Sequence, residues 1–235
     1  MVFARTAAMA FNRYADRDVD ARNERTKTRE IPSGKISTAS ALFLVTASAV
    51  LFIATTYFIN PLCFYLSPLA LLIVLGYSYT KRFTALCHFI LGLGLSLAPI
   101  GAYLAVTGEF DLLPLLFSGC VLTWVGGFDI IYALQDEEFD KQQKLYSVPA
   151  LVGKKNALVI SNAAHLVSAA LVLFAGYSAG LGTWYWTGSF IFIGLLVYQH
   201  TLVKPDDLRK VNLAFFTTNG IASVVFAAFV LADIL

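Results

Sequence analysis

The chain has 235 residues, 58% of them hydrophobic and 14% charged, and a mean hydropathy of +0.70. A water-soluble domain covers itself with about 25% charged residues, so an ordinary cytosolic globule is excluded. A formal net charge of +2 is too small for nucleic-acid binding through a general basic field, and no nucleic-acid partner is expected. Cys63, Cys87 and Cys120 lie in or beside apolar runs without CxxC spacing, which indicates neither a disulfide framework nor a zinc site.

Val2–Phe11 is apolar, but at about 1.5 Å per residue it covers only half the hydrocarbon core and reads as the end of a membrane helix. Arg5 inside it and the lack of a small-residue cleavage site after it argue against a signal peptide. Next comes Asn12-Arg-Tyr-Ala-Asp16-Arg-Asp18-Val-Asp20, in which Asn12, Asp16 and Asp20 recur every four residues and so share one face of a helix leaving the membrane. Runs of about 20 apolar residues can cross a core of about 30 Å as helices, and seven follow: Ser37–Ile59, Pro61–Thr80, Leu86–Val106, Leu112–Leu134, Asn156–Ser178, Thr183–Val203 and Val211–Ala232. Asn60-Pro61 and Gly180–Gly182 are turns between spans, and Pro68 and Pro99 are expected to kink the spans that carry them. The run Leu112–Leu134 contains Asp129 and leads into Asp136-Glu-Glu-Phe-Asp140, where the four-residue spacing returns. The expectation is an all-α, polytopic transmembrane bundle of about seven full spans plus an N-terminal half-span, forming one membrane-embedded domain over residues 1–235.

The basic residues set the orientation. Sixteen of the 17 Lys and Arg fall in four places: Arg13 to Lys35, Lys81-Arg82, Lys141 to Lys155, and Lys204 to Lys210. Two spans separate each consecutive pair, so all four lie on one side, which the positive-inside rule makes the cytoplasm. The opposite connections carry Glu109, Asp111 and Asp233 but no Lys or Arg. Arg5 alone is left at membrane depth, where a charge is costly unless it faces a polar cavity.

Two acidic ladders thus face one compartment. Hard oxygen ligands in this number suit Mg²⁺, which is held by one or two carboxylates plus substrate phosphates, and a metal–diphosphate site is the inference. Charge clusters at a helix end are usually solvated loops, but a pair of ladders with Asp129 inside a span is hard to explain as solubility. Asp18, Glu24, Glu137 and Glu138 are off register and read as surface charges. His88, His165 and His200 lie in different spans without ligand spacing and receive no role. A cation-coupled transporter would also bury acids in a bundle, but near the bilayer midplane on broken helices, whereas these ladders sit at one face and are doubled.

The same residues carry a resemblance. The chain resembles the UbiA family of membrane prenyltransferases, on Asn12-x-x-x-Asp16-x-x-x-Asp20, Asp129-x-x-Tyr132-Ala-x-x-Asp136-x-x-x-Asp140, Arg29-Glu-Ile-Pro32-Ser-Gly34, Tyr77-x-x-x-Lys81-Arg82, and Arg5 seven residues before the motif asparagine. Within the family it looks nearest to the 4-hydroxybenzoate polyprenyltransferases and their relatives in the futalosine route to menaquinone. The resemblance implies transfer of a polyprenyl group from its diphosphate to an aromatic acid acceptor, 4-hydroxybenzoate-like or alternatively a dihydroxynaphthoate, in quinone biosynthesis at a bacterial inner membrane. It implies Mg²⁺ held by Asn12, Asp16, Asp20, Asp136 and Asp140. Asp129 is expected to orient the phenol or take its proton. Tyr132, with Tyr14, Tyr77 and Phe128, lies near the motifs where an aromatic face could stabilise an allylic cation, and Arg5, Lys81 and Arg82 are candidates for diphosphate or acceptor-carboxylate contacts. Members have nine membrane helices with the first motif at the end of the second. Here that motif begins at Asn12, so the expectation is a chain lacking its first one and a half helices, and an inactive truncated remnant is a further alternative.

Overall fold

The computed structural model describes all residues, Met1–Leu235. The helices are α1 (Val2–Ala15), α2 (Arg17–Asp20), α3 (Thr38–Ile59), α4 (Pro61–Thr80), α5 (Cys87–Thr107), α6 (Leu112–Ala133), α7 (Glu137–Gln142), α8 (Val148–Ala179), α9 (Thr183–Leu202) and α10 (Asn219–Ile234). A 3₁₀ turn, Leu134–Asp136, joins α6 to α7, and a π-helical turn, Leu213–Thr218, leads into α10. No strand forms; Lys204 and Asp207 make one isolated bridge.

The long helices are apolar on all faces because their outer surface meets lipid rather than water. Their ends are marked by polar caps. Ser37 accepts from the Ser40 amide at 3.0 Å, Asn60 from Cys63 at 2.8 Å with Pro61 opening the next helix, and Asp111 from Leu113 at 3.0 Å. Each cap satisfies an amide that a membrane cannot hydrate. Helix α4 runs on through Pro68. Proline leaves the carbonyl four residues earlier without its amide partner, and the Ser67 hydroxyl donates to that carbonyl, Phe64 O, at 2.8 Å.

Six helical stretches are long and apolar enough to cross a membrane: Thr38–Ile59, Pro61–Thr80, Cys87–Thr107, Leu112–Gln142, Val148–Ala179 and Leu213–Ile234. The expected count of seven is therefore corrected by one. Helix α9 stands where the remaining span was read and has 20 residues, but Thr183, Thr187, Ser189, Gln199 and His200 dilute its apolar character, and Ser189 and Gln199 are buried inside the protein. The opening half-span is longer than Val2–Phe11, because α1 continues through the motif residues to Ala15. Helix α8 starts earlier than Asn156. Gly153, with φ +78° and ψ 163°, breaks it, so Val148–Val152 forms a separate first turn.

The chain divides into two compact units, Met1–Phe83 with Gly101–Glu109, and Thr84–Ile100 with Phe110–Leu235. In the first, α1 packs on α3 and α4, which also pack on each other. In the second, the most extensive contact is α6 on α8, followed by α9 on α10. Small residues permit the close crossings there. A Cβ on Gly92 of α5 would lie 2.3 Å from Leu122 O of α6, so only glycine allows the two backbones to meet.

Candidate functional site

In the first unit the site grows from the end of α1. Asn12 Nδ2 donates to Asp16 Oδ2 at 3.1 Å and reaches Ser78 Oγ of α4 at 3.5 Å. The helix is interrupted at Asp16, whose φ of −92° and ψ of 4° separate α1 from α2. The expected three-rung ladder on one helix is thus two rungs on α1 and its cap, with the third on a short following turn. There Asp20 is buried and accepts from Arg29 Nη1 with both carboxylate oxygens, at 2.7 and 2.9 Å. Lys81 and Arg82 stand at the end of α4, and Arg82 donates to Ala15 O while its guanidinium lies 3.9 Å from Asp16 Oδ1 and over the Tyr79 ring. Burial pushes the Asp16 carboxyl above its ordinary range, reinforced by Asp20; Lys81, Arg82 and Arg29 pull the other way. Tyr14 offers little to a substrate cation, since Arg17 already sits 4.5 Å from its ring centre. Arg5 is exposed on α1.

In the second unit the acids are spread over three elements. Asp129 is in α6, Asp136 closes the 3₁₀ turn and Asp140 is in α7. The turn tightens the backbone after Ala133, so this motif does not run along one continuous helix face as its spacing suggested. Asp136 and Asp140 are 8% and 1% exposed. Glu137, read as a surface charge, is instead buried and paired with Lys141 at 2.6 Å and Lys154 at 3.8 Å. Tyr132 stacks on Phe215 with ring centres 4.1 Å apart and meets Phe216 edge-on, while Phe128 meets Trp124 and Phe215 edge-on. Phe215 and Phe216 reach these rings from the π-helical turn. The carbonyls loosened by that turn are taken up by side chains: Gln199 donates to Ala214 O at 2.8 Å and Asn219 to Phe215 O at 2.8 Å. Such turns are frequent at functional sites.

Three histidines passed over in the sequence all find partners. His88 Nδ1 lies 2.7 Å from Asp129 Oδ2, and its Nε2 accepts the Val148 amide at 3.2 Å. His165 Nε2 faces Trp124 O at 3.2 Å, which can only accept, so that nitrogen carries the proton. His165 Nδ1 then accepts from His200 Nε2 at 2.9 Å, tying α6, α8 and α9 together. No spacing could announce these pairs, because 41 residues separate His88 from Asp129 and 35 separate the other two.

Comparison with known proteins adds a second line. The UbiA prenyltransferase family profile matches residues 1–221. A 4-hydroxybenzoate octaprenyltransferase of Shewanella halifaxensis is 31% identical over 98% of this chain and 80% of its own length. The apo structure of a UbiA homologue from Aeropyrum pernix K1 superimposes with a TM-score of 0.92 at 32% identity, covering 100% of this chain and 86% of that one. A UbiA homologue from Archaeoglobus fulgidus bound to DMAPP and Mg²⁺ shares the fold, with a TM-score of 0.70 at 21% identity over 99% of this chain and 84% of that one.

Proposed function

The chain belongs to the UbiA prenyltransferase family, and from that premise we propose that it moves a polyprenyl group from a polyprenyl diphosphate to the ring of a 4-hydroxybenzoate-like aromatic acid in quinone biosynthesis. It is an integral membrane enzyme, and the reading places its motif loops on the cytoplasmic side of a bacterial inner membrane. Single cysteines at the exposed Ser33 and Thr107 should then be labelled from opposite sides; labelling from the same side refutes that topology.

The observation that carries the reading is the set of motif carboxylates that follow the membrane helices α1 and α6, with Asp20, Asp136 and Asp140 buried and Asp16 half-buried. A buried carboxylate persists only when it is compensated, and oxygen donors of this kind are those Mg²⁺ selects. Asn12 and Asp16 of the first unit are proposed as Mg²⁺ ligands, and so, separately, are Asp136 and Asp140 of the second. Asp20 is proposed with the first set: each of its oxygens accepts from Arg29 Nη1 and keeps a second lone pair for a metal. When bound, Mg²⁺ supplies Lewis-acid stabilisation of the charge developing on the departing diphosphate. Arg5, Lys81 and Arg82 are proposed to contact the diphosphate or the acceptor's carboxylate.

The chemistry left to the protein is orientation, shielding and proton handling. The allylic C–O bond breaks with its electron pair leaving on the diphosphate, and a ring carbon of the acceptor attacks the freed allylic carbon. Tyr132, stacked on Phe215 and flanked by Phe128 and Phe216, supplies aromatic faces that stabilise positive charge and exclude water. Asp129 accepts the hydrogen bond of the acceptor's hydroxyl and so raises electron density in the ring, and the proton on the attacked carbon passes finally to the released diphosphate, restoring the aromatic ring. Membranes carrying the protein, given Mg²⁺, a polyprenyl diphosphate and 4-hydroxybenzoate, should yield the prenylated acid and free diphosphate. Transfer only to a dihydroxynaphthoate would reassign the acceptor, and no transfer to any aromatic acid would refute the reading.

A further inference from the structure

The contacts of His88 fix its protonation. The Val148 amide points a hydrogen at Nε2, at 3.2 Å, so that nitrogen presents a lone pair. An imidazole at neutral or acidic pH bears at least one N–H, and the proton must therefore sit on Nδ1, where it meets Asp129 Oδ2 at 2.7 Å. The carboxylate is the acceptor in this bond. A second proton on the ring would have to displace the Val148 amide, which belongs to the first turn of α8 and is held by the Ser147 cap on Ala150. The titratable groups acting on His88 are Asp129 across the α5–α6 contact and Cys87 beside it, and the Cys87 thiol donates to Tyr146 O at 3.4 Å.

Exposure separates the two partners. The His88 side chain is 4% exposed and that of Asp129 is 22%, so the acid faces open space while the histidine is sealed behind it. We infer that His88 is a positioning residue: a neutral Nδ1–H donor, locked by the Val148 amide, that occupies Asp129 Oδ2 and leaves Oδ1 free for the acceptor's hydroxyl. A neutral donor fixes the direction of the carboxylate without setting a cation beside it. A fixed cation in the same place would cancel the charge that draws the hydroxyl proton. This inference rests on the reading of Asp129 as the group that meets the acceptor.

Two measurements on the full chain in lipid nanodiscs test it. Histidine ¹⁵N NMR of the wild type, with the His88 signal assigned by its loss in His88→Gln, should show Nδ1 protonated and Nε2 bare from about pH 8 down to about pH 5.5, below the ordinary histidine pKa of about 6.5. A doubly protonated ring, or a proton on Nε2, overturns the inference whatever the activity. In single-turnover transfer, His88→Gln keeps one donor and one acceptor and should stay within about 3-fold of wild type with an unchanged pH profile. His88→Leu should lose about 10-fold or more in rate at unchanged donor affinity, the scale on which a group that orients a functional residue matters. Equal loss in both variants would mean that His88 itself moves a proton, and no loss in His88→Leu would mean that it positions nothing. Full activity of Asp129→Ala, by contrast, removes the role assigned to Asp129 and the inference with it, even with the NMR result intact.

Discussion

The acids of the two units are compensated in different ways. In the first, Asp20 is gripped through both oxygens by Arg29, Arg82 lies 3.9 Å from Asp16, and Arg13 pairs with Glu30 at 3.4 Å. In the second, Asp129, the acid set within the span of α6, is partnered by the His88 imidazole inferred above to be neutral, while the lysines serve Glu137. A fixed guanidinium beside a carboxylate settles its charge and holds a loop in place. A neutral donor settles only its direction. The first arrangement suits a preformed frame for a phosphate-bearing ligand, and the second suits an acid whose free oxygen must be aimed at a hydroxyl.

The largest expected effect bears on the Mg²⁺ ligands proposed in each unit. Asp16→Asn and Asp136→Asn should each cut transfer by about 10³-fold, the upper scale for loss of an electrostatic stabiliser, and should raise the Mg²⁺ concentration needed for half-maximal rate. Neither substitution removes an apolar contact, so membrane insertion should be normal; near-wild-type turnover would show that the carboxylate is no ligand. Arg29→Met probes the frame itself. It leaves the buried Asp20 carboxylate without its bidentate partner and should lower stability by about 2 kcal/mol, the scale of a charged hydrogen bond, read as a lower midpoint of thermal unfolding in detergent. An unchanged midpoint would mean that the pair contributes nothing to the loop.

Much of this architecture is legible in the sequence, for physical reasons. Lipid demands uninterrupted apolar runs with capped ends, and so Ser37–Ile59, Pro61–Thr80 and Leu112–Leu134 match their helices to within a residue at each end. Where polar residues interrupt the run, the reading fails. Lys154, Lys155 and Asn156 hid the first turn of α8, and a four-residue period gave no hint of the break at Asp16 or the 3₁₀ turn before α7. The acids are visible as a pattern because their spacing is local. Their partners are not, since His88, Arg29 and Phe215 reach them through tertiary folding.

Smaller effects sharpen the comparison of packing inside each unit. Gly127→Ala would place a Cβ 2.3 Å from His165 Cδ2 and should cost about 1 to 3 kcal/mol by overpacking, separating α6 from the His165–His200 link. A neutral result would show that α8 can yield there. In the first unit Ser67→Ala leaves Phe64 O unserved next to Pro68 and should cost about 1 kcal/mol, visible as faster amide exchange in the middle of α4. Unchanged exchange would show that the proline gap is closed by another group.

The division of labour between Asp129 and the buried carboxylates of the motifs is tested most directly by measuring polyprenyl diphosphate affinity in the presence of Mg²⁺ beside single-turnover transfer, for wild type, Asp129→Ala and Asp136→Ala in reconstituted membranes. The account predicts that Asp129→Ala binds the donor and requires Mg²⁺ nearly as wild type does while transferring it about 10²-fold more slowly or worse, the cost of losing a positioned acid or base, and that Asp136→Ala loses donor affinity. Loss of donor affinity in Asp129→Ala as severe as in Asp136→Ala would contradict it and place all these acids in a single metal-binding role.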